Sequence, residues 1–350
     1  MGPVGALERS WSGAPGVIPW THALLPFAAA GLYVVAVGNL TVGGTGKSSL
    51  ARWLAREALA AGARPAVILR GHAAPGRAGR TTVVPDLAGY PPGRAFERCG
   101  DEAAAHRAAL PRGATVVVDR DRRRAALQAR RGYGASVAIL DDGWEQGTLA
   151  WDELWVAVDP LRPEGSGALL PAGPLRRPTA TLAEASAIAF VLETAGEDVP
   201  PATLAWAKRH APRAAVLRFR RTLAGISSLD SRALAPWSAG AGPAAVISGI
   251  GAPARLTRFV EGAGIEIVSH DAFPDHAAWS AAELAARIRR GAAAGARVVL
   301  VTEKDEPRWP SGLSSPIPVR VLRTGIEPLD PVDLALARLR GRVAPAARIG

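Results

Sequence analysis

The sequence predicts an α/β protein: a mostly parallel sheet with helices on both faces, joined to a second, smaller α/β domain. Three observations carry this. Short apolar runs alternate with Ala/Arg/Leu-rich stretches of helical character. A glycine-rich turn, Thr41 to Ser48, sits between such a run and such a stretch. A second alternating series begins near residue 244, after a break at about 215–242. Strands buried on both faces need no polar alternation, so they read as continuous apolar runs between helices.

In chain order, the first-series strands are expected at 33–37 (YVVAV), 65–69 (PAVIL), 115–119 (TVVVD), 137–140 (VAIL) and 154–159 (LWVAVD). Helices are expected at Ser49–Ala61 and Asp101–Ala109. The Pro- and Gly-rich segment 160–178, PLRPEGSGALLPAGPLRRP, reads as a long loop beside the site, because long structureless loops are commonly functional. The second series runs through 244–251, 265–270, a helix at Ser280–Gly291 and RVVLVTEKD at 297–305. The tail DPVDLALARLRGRV reads as a closing helix. The expected division is residues 1–218 and 219–350, with a cleft between them and a last helix free to pack back on the first domain.

Ahead of the first strand, Ala23–Val37 is apolar over 15 residues. That is shorter than the roughly 20 residues that span a bilayer, and Pro26 interrupts it. Its second half is the first strand. Its first half, with Trp11 and Trp20 upstream and Phe27 within it, suits either a membrane interface or ordinary core packing. No basic n-region or cleavage site marks a signal peptide.

The formal net charge is +11, carried by arginine: Lys47, Lys208 and Lys304 are the only lysines. Arginine for lysine, with abundant Ala, Gly and Pro, is what a GC-rich coding sequence produces, so part of the charge is compositional. The sign suits an acidic substrate or an anionic bilayer. The run RDRRR (120–124) reads as a solvated helix face, and no nucleic-acid partner is expected. Cys99 is the one cysteine, which excludes an intramolecular disulfide and a cysteine-based zinc site and suits a reducing compartment.

The eight residues TVGGTGKS, Thr41 to Ser48, follow a strand and open a helix. They match the phosphate-binding P-loop except that Thr41 stands at the first glycine position. Gly43, Gly44 and Gly46 let backbone N–H groups turn toward an anion, and the helix N-terminus adds partial positive charge. Lys47 can bridge the β- and γ-phosphates, and Ser48 can ligate Mg²⁺. The sheet is thus of the P-loop NTPase type. Thr41, Gly43, Gly44, Thr45, Gly46, Lys47, Ser48 and the adjoining Ser49 form the candidate nucleotide-binding set. Asp141 and Asp142 end an apolar strand, at the sheet edge where such proteins hold their metal-associated acid. Asp101 and Glu102 open a helix after Gly100, and either ligand contact or simple dipole complementarity accounts for them. Asp275 and His276 in FPDH could relay a proton or form a solvated turn.

In this order, VGNLTVGGTGKS, RGH (70–72), GDE (100–102), DDGWEQ (141–146), LLPAGPLR (169–176), SGIGAPARL (248–256), FPDH and VTEKD resemble the tetraacyldisaccharide 4′-kinase (lipid A 4′-kinase) family, from about Val34 to Asp305. Thr41 belongs to that family's own loop. The resemblance implies a two-domain, peripheral kinase at the cytoplasmic face of the inner membrane. It would move the γ-phosphoryl of ATP, with Mg²⁺, to the 4′-hydroxyl of a lipid A disaccharide precursor. It implies Lys47 and Ser48 as P-loop lysine and hydroxyl, Asp141 and Asp142 as acids of the Mg²⁺ site, and Arg176 as a phosphate contact. It also implies Asp101 as the base near the acceptor hydroxyl, supported by His276, which Asp275 orients.

Departures from the family's usual strings fall at Glu145-Gln146 (usually Gln-His), Arg177 (usually Glu) and His72 (usually Tyr). They motivate an alternative in which the same kinase acts on a different acceptor. A GTPase-like nucleotide-binding protein is a further alternative, but no Asn-Lys-x-Asp string is present.

Overall fold

The computed structural model describes residues 31–71, 81–84, 99–229, 233–238, 241–275 and 279–343, with the single positions 97 and 231. The N-terminal apolar segment up to residue 30, His72 and His276 lie outside the described residues.

The strands are β1 (Tyr33–Asn39), β2 (Pro65–Leu69), β3 (Thr82–Val83), β4 (Thr115–Val118), β5 (Val137–Asp141), β6 (Glu153–Val158), β7 (Ala187–Leu192), β8 (Ala215–Ser228), β9 (Ala244–Ser248), β10 (Ile267–Ala272), β11 (Val298–Thr302) and β12 (Val319–Pro328). Among the described residues they form one 12-stranded sheet in the order β10-β9-β11-β12-β8-β7-β6-β1-β5-β2-β4-β3. Pairing is parallel throughout except at β3–β4 and at β8–β12. The antiparallel β8–β12 pair is the seam between two parallel series.

The boundary expected at 218/219 falls inside β8. Residues Ala215–Arg220 pair in parallel with β7, and Phe219–Ser228 pair antiparallel with β12. One strand therefore belongs to both halves, and no linker separates them there. The alternation of β8, AVLRFRRTLAGISS, suits this position: its apolar members Leu217 and Phe219 are buried, while its arginines reach carboxylates on neighbouring elements.

The helices are α1 (Lys47–Ala60), α2 (Asp101–Ala109), α3 (Arg122–Tyr133), α4 (Pro201–His210), α5 (Pro253–Gly262), α6 (Ala281–Ala293) and α7 (Asp333–Val343). Asp121 caps α3 by accepting from Arg123 N and Arg124 N, and Gly134 ends it in the left-handed region. Ser280 caps α6 through Glu283 N. On one face of the first series, α1 buries Leu50, Trp53 and Leu54 against β1, β2, β5 and β6. Trp53 meets Phe219 of β8 edge-on, with ring centroids 4.9 Å apart. Leu336 and Leu339 of α7 join this same core, so the closing helix lies on the first series. On the opposite face α3 buries its alanines against β1, β2 and β5. In the second series α5 and α6 cover opposite faces of β9 and β11.

β1, β5 and β7 run parallel and end at one edge of the sheet, while β9 and β11, beyond the antiparallel β8–β12 seam, run the opposite way; because β12 pairs with the far part of β8, past the end of β7, their carboxyl ends point back toward that edge. The turns that follow them gather there, as in open α/β sheets generally.

Candidate active site

The glycine-rich loop leaves β1 at Asn39, whose amide donates to Thr41 O. A segment of the 160–178 loop runs beside it: Thr41 bridges to Leu175, and Val42 N donates to Pro174 O at 2.8 Å. Gly43 and Gly46 have φ of 117° and 96°, where a side chain would be strained. A Cβ on Gly46 would also stand 2.8 Å from Val191 Cγ2 of β7. No side chain caps the start of α1, so its first N–H groups are available to an anion.

Lys47 Nζ lies 2.6 Å from Asp142 Oδ1, and Arg176 Nη1 reaches the same oxygen at 2.7 Å. Burial pushes the Asp142 carboxyl up, but Lys47 and Arg176 outweigh it and hold it below the ordinary range. Asp142 is the one described non-glycine residue with positive φ, at 55°, a conformation that Asp tolerates better than most residues. Two cations converging on one carboxylate oxygen leave a positive end to the loop that suits phosphate.

Asp141, the last residue of β5, is buried and accepts a 2.8 Å hydrogen bond from His106 Nε2 on its Oδ2. Burial alone would raise its carboxyl. The hydrogen bond and charge of His106, then Lys47 and Ser48, outweigh burial and hold it ionised. Its other oxygen, Oδ1, has no hydrogen-bond partner among the described residues and belongs to a residue that lines the cleft. A buried, ionised and unpaired carboxylate oxygen beside Asp142 and Ser48 is the donor a hard divalent cation takes. No set of three or more His, Cys, Asp or Glu residues among the described ones could hold a metal by itself. The donor set therefore fits an Mg²⁺ ion that shares its shell with phosphates and water.

Arg122 corrects the expectation of a solvated helix face at 120–124. It is buried and donates from Nη2 to Asp141 O at 3.0 Å. Burial lowers its guanidinium to about 10, opposed by the charges of Asp141 and Asp142.

These groups line a cleft of about 420 Å³. The first series contributes the loop from Gly43 to Ser49, Glu102, His106 and the acid pair. The second contributes Ile250–Ala252, Asp275, Glu303 and Lys304. The halves approach closely at the glycine loop, where a Cβ on Gly44 would lie 3.3 Å from Ala252 Cβ.

The acceptor side differs from expectation. Asp101 is fully buried at the first turn of α2, with Arg308 Nε 3.8 Å from its Oδ2, and it does not line the cleft. Its neighbour Glu102 does, with Lys304 Nζ at 3.8 Å. The expected base thus stands behind the wall in this conformation, because consecutive helical residues point about 100° apart. Asp275 lines the cleft and accepts from Lys304 Nζ at 2.8 Å. Its expected partner His276 is outside the described residues. Thr45 is buried with its hydroxyl unpartnered among the described residues. Ser49 accepts from Arg221 Nη1 at 3.3 Å.

Sequence reasoning missed His106, Arg122 and a buried ionic group at the other end of the cleft. There Glu193 accepts from Arg221 Nε at 2.6 Å and Arg255 Nε at 2.7 Å, while Arg52 reaches Glu303 at 2.6 Å. A signal for His106 was present: it stands four residues after Glu102, on the same helix face.

Of the positions that depart from the family strings, the described ones, Glu145, Gln146 and Arg177, do not line the cleft. Arg177 lies 5.0 Å over the Trp144 ring and donates to Trp144 O. Gln146 accepts from Leu149 N at 2.9 Å, closing a local turn. Glu145 holds Arg176 from outside at 3.2 Å, and burial raises its carboxyl.

The sequence model of the family described as LpxK, tetraacyldisaccharide-1-P 4'-kinase, matches residues 20–336. The tetraacyldisaccharide 4'-kinase of Anaeromyxobacter dehalogenans (strain 2CP-C) is 33% identical over 364 residues, 97% of this chain and 92% of that protein. That of Geobacter sulfurreducens is 33% identical, over 87% of this chain and 82% of that protein. Among solved structures, LpxK from Aquifex aeolicus in complex with ATP superimposes with a TM-score of 0.65 at 23% identity, over 89% of this chain and 88% of that one. It supports the α/β fold described above.

Proposed function

The chain belongs to the tetraacyldisaccharide-1-P 4'-kinase family, and from that premise we propose how its residues carry the ATP-dependent transfer of a phosphoryl group to the 4′-hydroxyl of a tetraacyldisaccharide 1-phosphate. The observation that carries the reading is the convergence of Lys47 and Arg176 on Asp142, beside the unpaired oxygen of Asp141 and at the open N-terminus of α1.

The loop amides from Gly43 to Ser48 would hold the β- and γ-phosphates of ATP. Lys47 and Arg176 would exchange Asp142 for phosphate oxygens and neutralise the charge on the group in transfer. Ser48, Asp141 and Asp142 would hold Mg²⁺, which when bound supplies charge neutralisation across the phosphates. His106 keeps Asp141 ionised and fixes which oxygen faces the cleft. The transferred group demands positioning more than covalent help.

The proton of the acceptor hydroxyl goes in this proposal to Asp101, with Asp275 on the facing wall and with His276, next to it in sequence, as the supporting group. Geometry in an unliganded form tightens on binding, so acceptor entry has to bring the Asp101 carboxylate out from beside Arg308. Residues 1–218 and 219–350 act as the two walls, with β8 common to both.

We place the protein at the cytoplasmic membrane surface as a peripheral enzyme, since its acceptor is acylated. No helix among the described residues is long and apolar enough to cross a membrane. The test is incubation with ATP and the tetraacyldisaccharide 1-phosphate, read by mass spectrometry. A 4′-phosphorylated product that is lost in Lys47→Ala is expected. A folded protein that makes no such product overturns the acceptor assignment.

A further inference from the structure

Among the 42 basic residues of the chain only three are lysines, and two of them, Lys47 and Lys304, line the cleft. The third, Lys208, is exposed in the last turn of α4. Lys47 is the lysine of the glycine loop. Lys304, in the VTEKD string that follows β11, is left without a role. In a chain so biased toward arginine, a lysine on a ligand cleft points to a site that a compact, freely turning ammonium serves and a planar guanidinium does not.

The position of Lys304 joins the two walls. Its Nζ lies 2.8 Å from Asp275 Oδ1 and 3.8 Å from Glu102 Oε1. The phosphate loop is close on the Asp275 side: a Cβ on Gly251 would stand 3.4 Å from Asp275 Oδ2 and 3.9 Å from Gly43 Cα and Gly44 N. On the other side, Glu102 stands about one helical turn before His106, which holds Asp141. The ammonium is thus tied to a carboxylate next to the glycine loop and to the helix that steadies the metal-associated acid. Among the described residues, the second series also brings Arg255 to the cleft, but that cation is committed. It donates to Glu193 Oε1 at 2.7 Å and to Val191 O at 2.9 Å. The partners of Lys304 are looser. The side chains of Glu102 and Asp275 are 35% and 37% exposed, and ion pairs so placed hold weakly against a competing anion.

In the transfer, the acceptor 4′-oxygen bonds to the γ-phosphorus while the bond from phosphorus to the β,γ-bridging oxygen breaks. ADP leaves with that electron pair, and the base takes the hydroxyl proton. Charge is then spread over three equatorial oxygens. Lys47 and Arg176 both come from the first series, so they leave the far side of the group without a cation. We propose that Lys304 is a further catalytic residue, whose ammonium leaves Asp275 and Glu102 and donates to the γ-phosphoryl oxygen that faces the second series. Lys304 gains and loses no atom in the step. This rests on the kinase reading above and adds to it a cation from the opposite wall.

The experiment uses the full chain with Mg²⁺, as wild type, Lys304→Met and Lys304→Arg. Isothermal titration compares ADP with β,γ-methylene-ATP, and steady-state kinetics use ATP and the tetraacyldisaccharide 1-phosphate. In Lys304→Met, kcat is expected to fall about 10²-fold, with the KM for the acceptor changed by less than about twofold. The Kd of the ATP analogue rises about fivefold, because a charged hydrogen bond to its γ-group is lost. The Kd of ADP stays within about twofold, which also reports a folded site. Lys304→Arg, which keeps the charge on a longer and planar group, recovers only part of kcat.

Unchanged kcat in Lys304→Met overturns the proposal, as does an equal loss of affinity for ADP and the analogue. A raised KM for the acceptor with kcat retained also overturns it, since the lysine then meets the acceptor's 1-phosphate. A lower melting temperature with all kinetic constants unchanged makes Lys304 a bridge between the walls and nothing more. A wild type that phosphorylates no tetraacyldisaccharide 1-phosphate overturns the acceptor assignment alone. The comparison of ADP with the ATP analogue needs no acceptor and still decides on Lys304.

Discussion

His106 Nε2 and Asp141 Oδ2 are 2.8 Å apart, with the two side chains 2% and 5% exposed. The pair joins the face of α2 to the end of β5, and it leaves the opposite oxygen of Asp141 unpaired toward the cleft. Replacing His106 by Leu removes the donor and lets the carboxylate turn. The expected outcome is about a tenfold rise in the Mg²⁺ concentration for half-maximal rate. His106→Gln, which keeps an N–H donor, recovers most of the loss. Mg²⁺ titration of the rate, together with Mn²⁺ binding in the presence of ADP followed by electron paramagnetic resonance, checks both.

Asp101 and Glu102 exchange their expected visibility, the first buried and the second on the cleft wall. If Asp101 takes the acceptor proton, Asp101→Asn lowers kcat by about 10²-fold or more and leaves the KM for ATP unchanged. Glu102→Gln then has a smaller effect on kcat. The reverse ranking in steady-state kinetics would transfer the role to Glu102.

Gly46 combines a φ of 96° with a Cβ position 2.8 Å from Val191 Cγ2. Gly46→Ala must therefore distort the loop, at about 1–2 kcal/mol for the left-handed backbone alone. Weaker ATP binding and a lower melting temperature are expected. Adding Val191→Ala relieves the contact and not the backbone strain, so it restores only part of both. Isothermal titration with ATP and thermal denaturation of the single and double variants measure the two shares.

Glu193 supplies a pH dependence. Burial acts to raise its carboxyl, but the guanidiniums of Arg221 and Arg255 outweigh burial and hold it below the ordinary 4.5. A carboxyl lowered in the folded state binds fewer protons there than in the unfolded chain. Its stabilisation is therefore complete above about pH 4.5 and is lost as pH falls through the lowered folded value. Glu193→Gln leaves two arginines without their acid and costs about 3 kcal/mol at neutral pH. It also flattens the acid side of the stability curve, as urea denaturation between pH 3 and 7 (about one point per half unit) would record.

The parts of the fold and site that depend on adjacent residues were legible in the sequence. β1, β2, β4, β5 and β6 are unbroken apolar runs, and Lys47, Ser48, Asp141 and Asp142 sit in short strings tied to a strand end. β8 and β12 escaped notice because arginines interrupt both. Those arginines are satisfied only by distant carboxylates, Arg221 by Glu193 and Arg323 by Glu306, so the two strands look polar until the chain is folded. β7, although wholly apolar, followed a long loop and a 3₁₀ turn that hid its place in the alternation. Arg122 was misread because a charge run was assigned to one face, whereas the cap at Asp121 turns this member inward. Asp101 and Glu102 show the same limit on a smaller scale: adjacency in sequence does not say which carboxylate meets the cleft.

Leu336 and Leu339 pack with Trp53 and Leu54 in the core beneath the phosphate loop, and β12 completes the seam beside β8. During synthesis, the first half of the chain emerges long before these partners exist. The nucleotide-binding half must then wait, with one face of α1 uncovered, until almost the whole polypeptide has been made. The enzyme's earliest motif is consequently finished last, and premature termination near the end of the chain injures the beginning.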